Sequence, residues 1–553
     1  MSNGLATDVL IAGAGPVGLV LAMDLASRGI KVTVVEPRAR LEPPSVKCNH
    51  VSARSMEIFR RLGVAAAVRD NGLPPDYPHD IAYRITATGE ELTRIHIPCR
   101  RDRYTDLTAA DANWPTPEPP HRINQIYLEP TLFKHAEKQP GITILNRVQL
   151  ESFEQDAEGV TSTIRNVDTG EMQTIRSTYM VGCDGGKSTV RKLIGASLQG
   201  DPVVQRCQST FIRAPKLLSM FRHPPAWATF SLNPRRCGNM YAIDGRELWL
   251  IHNYLRDDEP DFASVDRDRS IRDILGVGPD FEYEVISHED WYGRRLVADR
   301  FRDGRVFICG DAAHLWVPYA GYGMNAGIAD AADLAWLMAA RLQGWGGERI
   351  LDAYEAERHP ITEQVSYFAM NHAHAMAKQR GGVPQDIEKP GPEGDALRAE
   401  LGRQAYELNV RQYAAAGLNF GYYYDHSPLI VYDGEQAPGY TMNTFTPSTV
   451  PGCRTPYFEL EDGTPLYDAM GAGYTLLRFD PSVDVAALQE AAAARGVPFE
   501  VLDVKTHDPR AGVYQHKLVL SRPDQHVAWR GNAVPADAME LVDTIRGARI
   551  GQG

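Results

Sequence analysis

The chain has 553 residues, too many for one core, so two or three domains are expected. Hydrophobic and charged shares of 43% and 23% are ordinary for a globular protein, and a net charge of −13 speaks against nucleic acid, whose phosphates want a basic face. Seven cysteines (Cys48, Cys99, Cys183, Cys207, Cys237, Cys309 and Cys453), dispersed and without a CxxC pair, fit neither a disulfide framework nor a metal site and suit a reducing cytoplasm.

In chain order, Val9 to Ala12 reads as a strand, Gly13-Ala14-Gly15-Pro16-Val17-Gly18 as a turn, and Leu19 to Ala26 as a helix. Asp8 precedes this apolar stretch and no basic leader does, so it is not read as a signal segment. No other run reaches the roughly eighteen apolar residues of a membrane span. A second strand, Val32 to Val35, ends on Glu36. Gly13 permits the tight turn, Gly15 lets the backbone approach a pyrophosphate, and Gly18 lets the helix pack closely on the strand. The helix N-terminus offers free N–H groups to phosphate, and Glu36 falls where a carboxylate accepts hydrogen bonds from a ribose. Pro16, Val17 and Arg38 complete the candidate nucleotide set of this segment. Together these residues indicate a dinucleotide without saying which.

Ser52 to Leu62 reads as a helix ended by Gly63. Lys47 just before it and Arg54 in its first turn are each candidates for the pyrophosphate, with plain surface charge as the alternative. Tyr179 to Gly182 is a buried strand running into Asp184-Gly185, and Phe307 to Cys309 is another running into Gly310-Asp311. Between them Thr229–Leu232, Gly238–Ile243 and Glu247–Tyr254 look like strands, the last two joined by an Asp244-Gly245 turn. Two-residue periodicity puts Asn239, Tyr241 and Ile243 on one face, and Leu248, Leu250, His252 and Tyr254 on one face of the partner strand. A helix beginning near Gly323 and running to about Arg341 would aim its dipole at whatever lies before it. Residues 376–410 are charged and rich in Pro and Gly, and read as a linker or surface excursion. In the tail, Tyr474–Phe479 and Phe499–Val504 are strands flanking a helix capped by Asp484 and ended by Gly496. Lys517–Ser521 and His526–Arg530 flank an Arg522-Pro523-Asp524 turn, and a final helix starts at Pro535.

The GxGxxG turn, the Asp184-Gly185 motif and the Gly310-Asp311 motif, in this order and at this separation, resemble the single-component FAD-dependent aromatic hydroxylases, the para-hydroxybenzoate and phenol hydroxylase superfamily. The resemblance covers about the first 375 residues, and the segment Ser521 to Gly531 resembles the thioredoxin-like tail of the phenol hydroxylase type. It implies an α/β fold: a Rossmann-type FAD-binding domain (1–80, 121–196 and 290–376), an inserted β-sheet substrate domain (81–120 and 197–289), a linker or helical excursion (377–439) and a thioredoxin-like domain (440–553). With Cys453 its only cysteine, that last domain lacks a redox pair; it is read as structural, with homodimer contacts as its expected use.

The resemblance further implies FAD in an extended pose, with Asp311 and Gln125 on the ribityl chain and Asp184 near both the flavin and the path of NADH or NADPH. Glu129 is read instead as a helix-start carboxylate. Gly310, Pro318, Gly321, Gly323, Met324 and Asn325 would border the flavin ring, and His314 would pack beneath it. The usual Pro-Pro-x-Gly-Gly-x-Gly loop is altered here, with Val317 and Ala320 in place of a proline and a glycine. The implied reaction is reduction of FAD by NAD(P)H, formation of a C4a-hydroperoxyflavin with O₂, and hydroxylation of a small aromatic, phenolic substrate. Tyr241 and His252 are candidates to assist the phenol, with Pro318 supplying a carbonyl near the transferred hydroxyl. Arg213 and Arg246 are candidates for a substrate carboxylate, and Tyr422-Tyr423-Tyr424 either borders the cavity or packs. Baeyer–Villiger oxygenation, epoxidation and an oxygen-independent flavin dehydrogenase or reductase remain open, as does a non-catalytic flavoprotein that docks through its tail.

Overall fold

The computed structural model describes residues 5–47, 49–112 and 114–548; Cys48 and the last residues of the C-terminal domain lie outside them, as does the side chain of Ala320. Three sheets organise the chain. The first is built on parallel strands. Leu5–Ala12 lies between Val32–Glu36 and Met172–Gly182, flanked by Ile142–Asn146 on one side and Val306–Ile308 on the other. Within these strands, residues 9–12 and 179–181 and the whole of Val306–Ile308 are continuous buried apolar runs because helices cover the sheet, among them Pro16–Ser27 and the 21-residue Tyr322–Leu342. Their carboxyl ends (Ala12, Glu36, Gly182 and Ile308) open at one edge, where an α/β sheet places its ligand crevice.

The second sheet runs in the order His314–Trp316, Glu284–Ala298, Leu198–Arg213, Leu248–Tyr254, Gly238–Ala242, Ala228–Ser231, Ile81–Arg84, Glu91–Ile95. The expected hairpin is present: Gly245 adopts φ +71° and the Asp244 carboxylate accepts the backbone N–H groups of Arg246, Glu247 and Leu248. One expected boundary is corrected. Residue 290 falls inside a continuous strand that pairs with Leu198–Arg213 through Ala298, so the second sheet extends past the border drawn at 289/290.

A second correction concerns 376–410. The stretch is the end of helix Asp352–Gly381 and most of helix Pro392–Tyr413, and Ile387, Leu401 and Ala405 are buried in the core of the second sheet. Its Pro and Gly punctuate the helix ends: Gly391 takes φ +87° just before Pro392, the first helical position.

The C-terminal sheet is Phe499–Asp503, Tyr474–Arg478, Leu518–Ser521, Val527–Gly531, with the first pair parallel and the rest antiparallel. The helix after Asp484 and the strand–helix–strand–hairpin–helix order follow the sequence expectation, though the final helix begins at Ala538. Tyr474, Leu476, Leu518 and Leu520 share one core with the first sheet. Buried ion pairs cross the same seam. Arg522 meets Glu357 of helix Asp352–Gly381 at 2.6 and 2.7 Å, and Arg454 meets Glu57 at 2.5 Å. This unit is therefore packed into the body.

Candidate functional site

At the glycine turn, two of the three glycines are required by close contacts. Gly13 has φ +105°, and a Cβ there would stand 2.3 Å from the Cys183 carbonyl oxygen; a Cβ on Gly18 would stand 2.0 Å from the Gly13 oxygen. Gly15, by contrast, borders open space and leads directly into helix Pro16–Ser27, whose first amides face that space. Glu36 is buried, accepts the Ala14 N–H at 2.8 Å and pairs with Arg38 at 2.8 Å. Arg38 continues to Glu129 at 2.6 Å. A narrow cleft lined by Ala14, Glu36, Arg38, Leu41, Glu129 and Phe133 follows. Glu129 is not the helix-start group: Asn124 caps that helix, while Glu129 sits a turn in, where burial raises its carboxyl above the usual range against the pull of Arg38.

Farther along the crevice, Gly310 takes φ +61°, where a Cβ would stand 3.0 Å from the Val17 side chain, and Asp311 beside it is exposed to solvent. The surrounding protein raises the Asp311 carboxyl, with His314 and Lys47 pulling the other way. Gln125 donates to Glu129 at 3.1 Å, and Lys47 is half exposed and pairs with Glu289 at 3.1 Å. His314 Nε2 donates to the Asp330 carboxylate at 2.7 Å, and its ring stacks on Trp316 at 4.5 Å. Helix Tyr322–Leu342 starts from Gly321 at φ +60°, and the Pro318 carbonyl accepts the Gly321 N–H at 3.3 Å. A Cβ on Gly323 would stand 3.5 Å from Trp316, and Met324 next to it is buried.

Three residues of the expected cofactor set have side chains engaged within the protein. Arg54 is buried and engaged with Glu57, Gln525 and the Asp524 carbonyl, so its charge serves the seam and is turned from any pyrophosphate. The Asp184 carboxylate accepts from Ser188 Oγ at 2.5 Å and Thr189 N at 2.7 Å, organising the helix start after the Asp-Gly turn. The Asn325 amide is fully engaged too: it accepts from Ser52 N and Ser55 Oγ and donates to the His50 and Gly321 carbonyls.

The second sheet turns one face to this crevice. Pairing of Asn239 with His252 and of Tyr241 with Leu250 puts these four on one side, joined by Gln205, Cys207, Ser209 and Trp291 from the next strands. Gln205 accepts the Tyr319 hydroxyl at 2.8 Å, and Gly293 abuts Val317, so this face looks onto the 317–321 loop. Tyr241 and His252 are therefore brought together, rings 5.5 Å apart, with Trp227 5.3 Å from Tyr241 and Trp291 6.0 Å from His252. Burial lowers the His252 pKa to about 4, so it is neutral at neutral pH, and burial, then Tyr319 and Cys207, raise the Tyr241 hydroxyl well above its usual value. Asn239 is fully buried with neither amide atom in a hydrogen bond.

Arg213 and Arg246 do not reach this face: Arg213 pairs with Glu247 and Glu284 at the surface, and Arg246 is exposed. The arginine that does is Arg122, 4.4 Å over Trp227 and hydrogen-bonded to His50, which itself abuts Gly321. Of the tyrosine cluster, Tyr424 donates to Asp333 at 2.6 Å within the core, so it packs. Among the described residues no group of three or more His, Cys, Asp or Glu side chains could hold a metal, and no helix is long and apolar enough to cross a membrane.

Comparison with known proteins agrees over nearly the whole chain. Residues 6–369 match the FAD binding domain family and residues 448–548 the C-terminal domain of aromatic-ring hydroxylases. The FAD-dependent monooxygenase apdD of Emericella nidulans is 30% identical across 95% of this chain and 88% of its own. Phenol 2-monooxygenase of a Pseudomonas strain is 28% identical across 99% and 94%. The structure of the rebeccamycin biosynthetic enzyme RebC with reduced flavin superposes with a TM-score of 0.88 at 34% identity, over 99% of this chain and 100% of that one.

Proposed function

Because the chain belongs to the FAD-dependent aromatic-ring hydroxylases and is a flavoprotein monooxygenase, we propose that it inserts one atom of O₂ into a phenolic or related polycyclic aromatic compound, with NADH or NADPH as reductant. The observation that carries this reading is the facing of two surfaces: the nucleotide crevice at the strand ends, and the Tyr241–His252 face across the 317–321 loop.

The residues present fit FAD. Glu36 and the nearby cleft suit the adenosine; the open space at Gly15 and the helix it starts suit the pyrophosphate, with Lys47 the cation free to swing to it; Asp311 and Gln125 suit the ribityl chain. FAD, when bound, supplies the electron transfer and oxygen activation that no side chain provides. The N-terminal amides of helix Tyr322–Leu342 would stabilise negative charge on the bound group.

The remaining steps belong to side chains. Tyr241 and neutral His252 orient the substrate's phenolic oxygen, His252 accepting its hydrogen bond and raising the ring's nucleophilicity. Trp227, Trp291 and Tyr319 exclude water from the reacting face. The Pro318 carbonyl, when released from the Gly321 N–H, is an acceptor for the hydroxyl being transferred. The test is oxygen uptake by the yellow protein with NADH or NADPH and a panel of phenols, ketones and polycyclic phenols, using labelled O₂. Label in a new ring hydroxyl supports the assignment. Label in an ester or epoxide, or flavin reduction with no labelled product, contradicts it.

A further inference from the structure

Eleven arginines are buried among the described residues: Arg54, Arg84, Arg103, Arg122, Arg191, Arg236, Arg295, Arg358, Arg454, Arg522 and Arg530. Nine of them meet a carboxylate, as Arg103 meets Asp111 at 3.0 Å and Arg236 meets Glu259 at 2.5 Å. Arg191 instead donates to the carbonyls of Ala312 and Gly186. Arg122 alone has neither. It is 3% exposed, its one polar partner is the His50 ring nitrogen, and its Nη2 group is buried with no acceptor.

The carboxylate that pulls on Arg122, Asp111, is already paired with Arg103 at 3.0 Å and makes no hydrogen bond to Arg122. His50, His79 and His121 surround the guanidinium, and burial, with neighbouring cations adding to it, keeps all three neutral. Burial also pushes Arg122 itself down to about 10, which still leaves it charged at neutral pH. A buried cation without a carboxylate hydrogen-bonded to it is costly, and buried polar groups without partners are rare enough to require a cause. Its other contacts are the faces of Trp227 at 4.4 Å and Tyr413 at 6.0 Å, and Trp227 packs against Tyr241. The orphaned Asn239 amide stands beside Tyr241 on the same sheet face.

We propose that Arg122 is the recognition residue for a carboxylate on the aromatic substrate, with the arene laid along Trp227 and Tyr241 and the Asn239 amide meeting a further polar group. This deepens the oxygenase reading and rests on it for the identity of the cavity. A carboxylate would complete the bidentate pairing that the guanidinium fork favours and supply the missing counter-charge. The competing source of a partly anionic oxygen is the flavin pyrimidine edge, since His50 also abuts Gly321.

The experiment measures dissociation constants of matched acid and amide pairs (naphthoic acid and naphthamide, indolecarboxylic acid and indolecarboxamide, hydroxybenzoic acid and hydroxybenzamide) for the flavin-loaded enzyme. Flavin absorbance and tryptophan fluorescence report binding. The wild type should favour the acid of at least one pair by about tenfold to a hundredfold. Arg122→Gln should abolish that preference and Arg122→Lys retain part of it, with FAD content and flavin reduction potential unchanged in both. Equal binding of acid and amide by the wild type, binding of neither, or a preference that survives Arg122→Gln overturns the proposal. A shifted flavin potential in Arg122→Gln with the acid preference intact assigns the residue to the flavin and also overturns it. Acid preference lost in Arg122→Gln, in an enzyme that shows no NAD(P)H-dependent oxygen uptake with any compound, supports this inference while refuting the oxygenase reading.

Discussion

At the seam between the first sheet and the C-terminal unit, each buried arginine meets an anion; on the inner face of the second sheet, Arg122 meets none. Arg522, fully buried, lies between Glu357 and Asp524, and Arg358 between Asp330 and Asp333. On the inner face the Arg122 Nη2 group, the Asn239 amide and the Gln205 amide nitrogen are instead buried without a hydrogen-bond partner among the described residues. Desolvated charge that is fully paired holds a structure in one arrangement, whereas desolvated polarity left unpaired marks where a ligand's groups go. The difference separates a structural interface from a binding surface within one molecule.

The sharpest way to break the comparison is at the seam. Arg522→Gln leaves Glu357 buried opposite a neutral group, and urea unfolding should show a loss of about 3–5 kcal/mol. A loss below about 1 kcal/mol would deny the seam its structural role. A smaller effect is expected at Asp24, which is fully buried with Arg61 at 2.6 Å and Arg28 at 3.0 Å. Burial pushes its carboxyl up, but the two arginines outweigh burial and bring it down to about 2. A carboxylate depressed on folding stabilises above its unfolded pKa and loses that contribution as pH falls through the folded one. Wild-type stability should therefore drop by about 2 kcal/mol between roughly pH 4 and 2, and Asp24→Asn should flatten that part of the profile.

The inner face answers to turnover rather than stability. Tyr241→Phe should lower kcat/KM by about tenfold or more while the melting temperature holds, because one hydrogen bond to the substrate oxygen is removed. His252→Gln should cost less, and the pH profile of the wild type should show no limb near 6 to 7 from this imidazole, whose pKa lies at about 4. A limb there that vanishes in His252→Gln would show that it titrates during catalysis.

Local features were legible in the sequence. Strand, glycine turn and helix at residues 9–26 are adjacent in the chain, so their spacing carries the geometry, and the Asp244-Gly245 hairpin formed as its turn chemistry dictates. What depended on distant partners was not. The strand Glu284–Ala298 crosses the expected border because its register is set by Leu198–Arg213, some ninety residues earlier. Pro and Gly at 382–394 looked like a linker, yet they are helix ends whose helices bury Leu401 and Ala405 under the second sheet. Arg54 was indistinguishable from Lys47 in sequence until Gln525 and Glu57 closed around it. Arg122 lies three residues before Gln125, in a segment already singled out, but the absence of a partner is a three-dimensional fact.

One measurement separates the two regions most directly: urea unfolding of the flavin-loaded, substrate-free enzyme carrying Arg122→Gln, beside Arg522→Gln. If the inner face is kept open for a ligand, Arg122→Gln unfolds with the wild-type free energy or a higher one, since it removes a buried charge that no carboxylate pairs, while Arg522→Gln loses several kcal/mol. An equal loss in both variants would contradict the account, because Arg122 would then be one more structural cation.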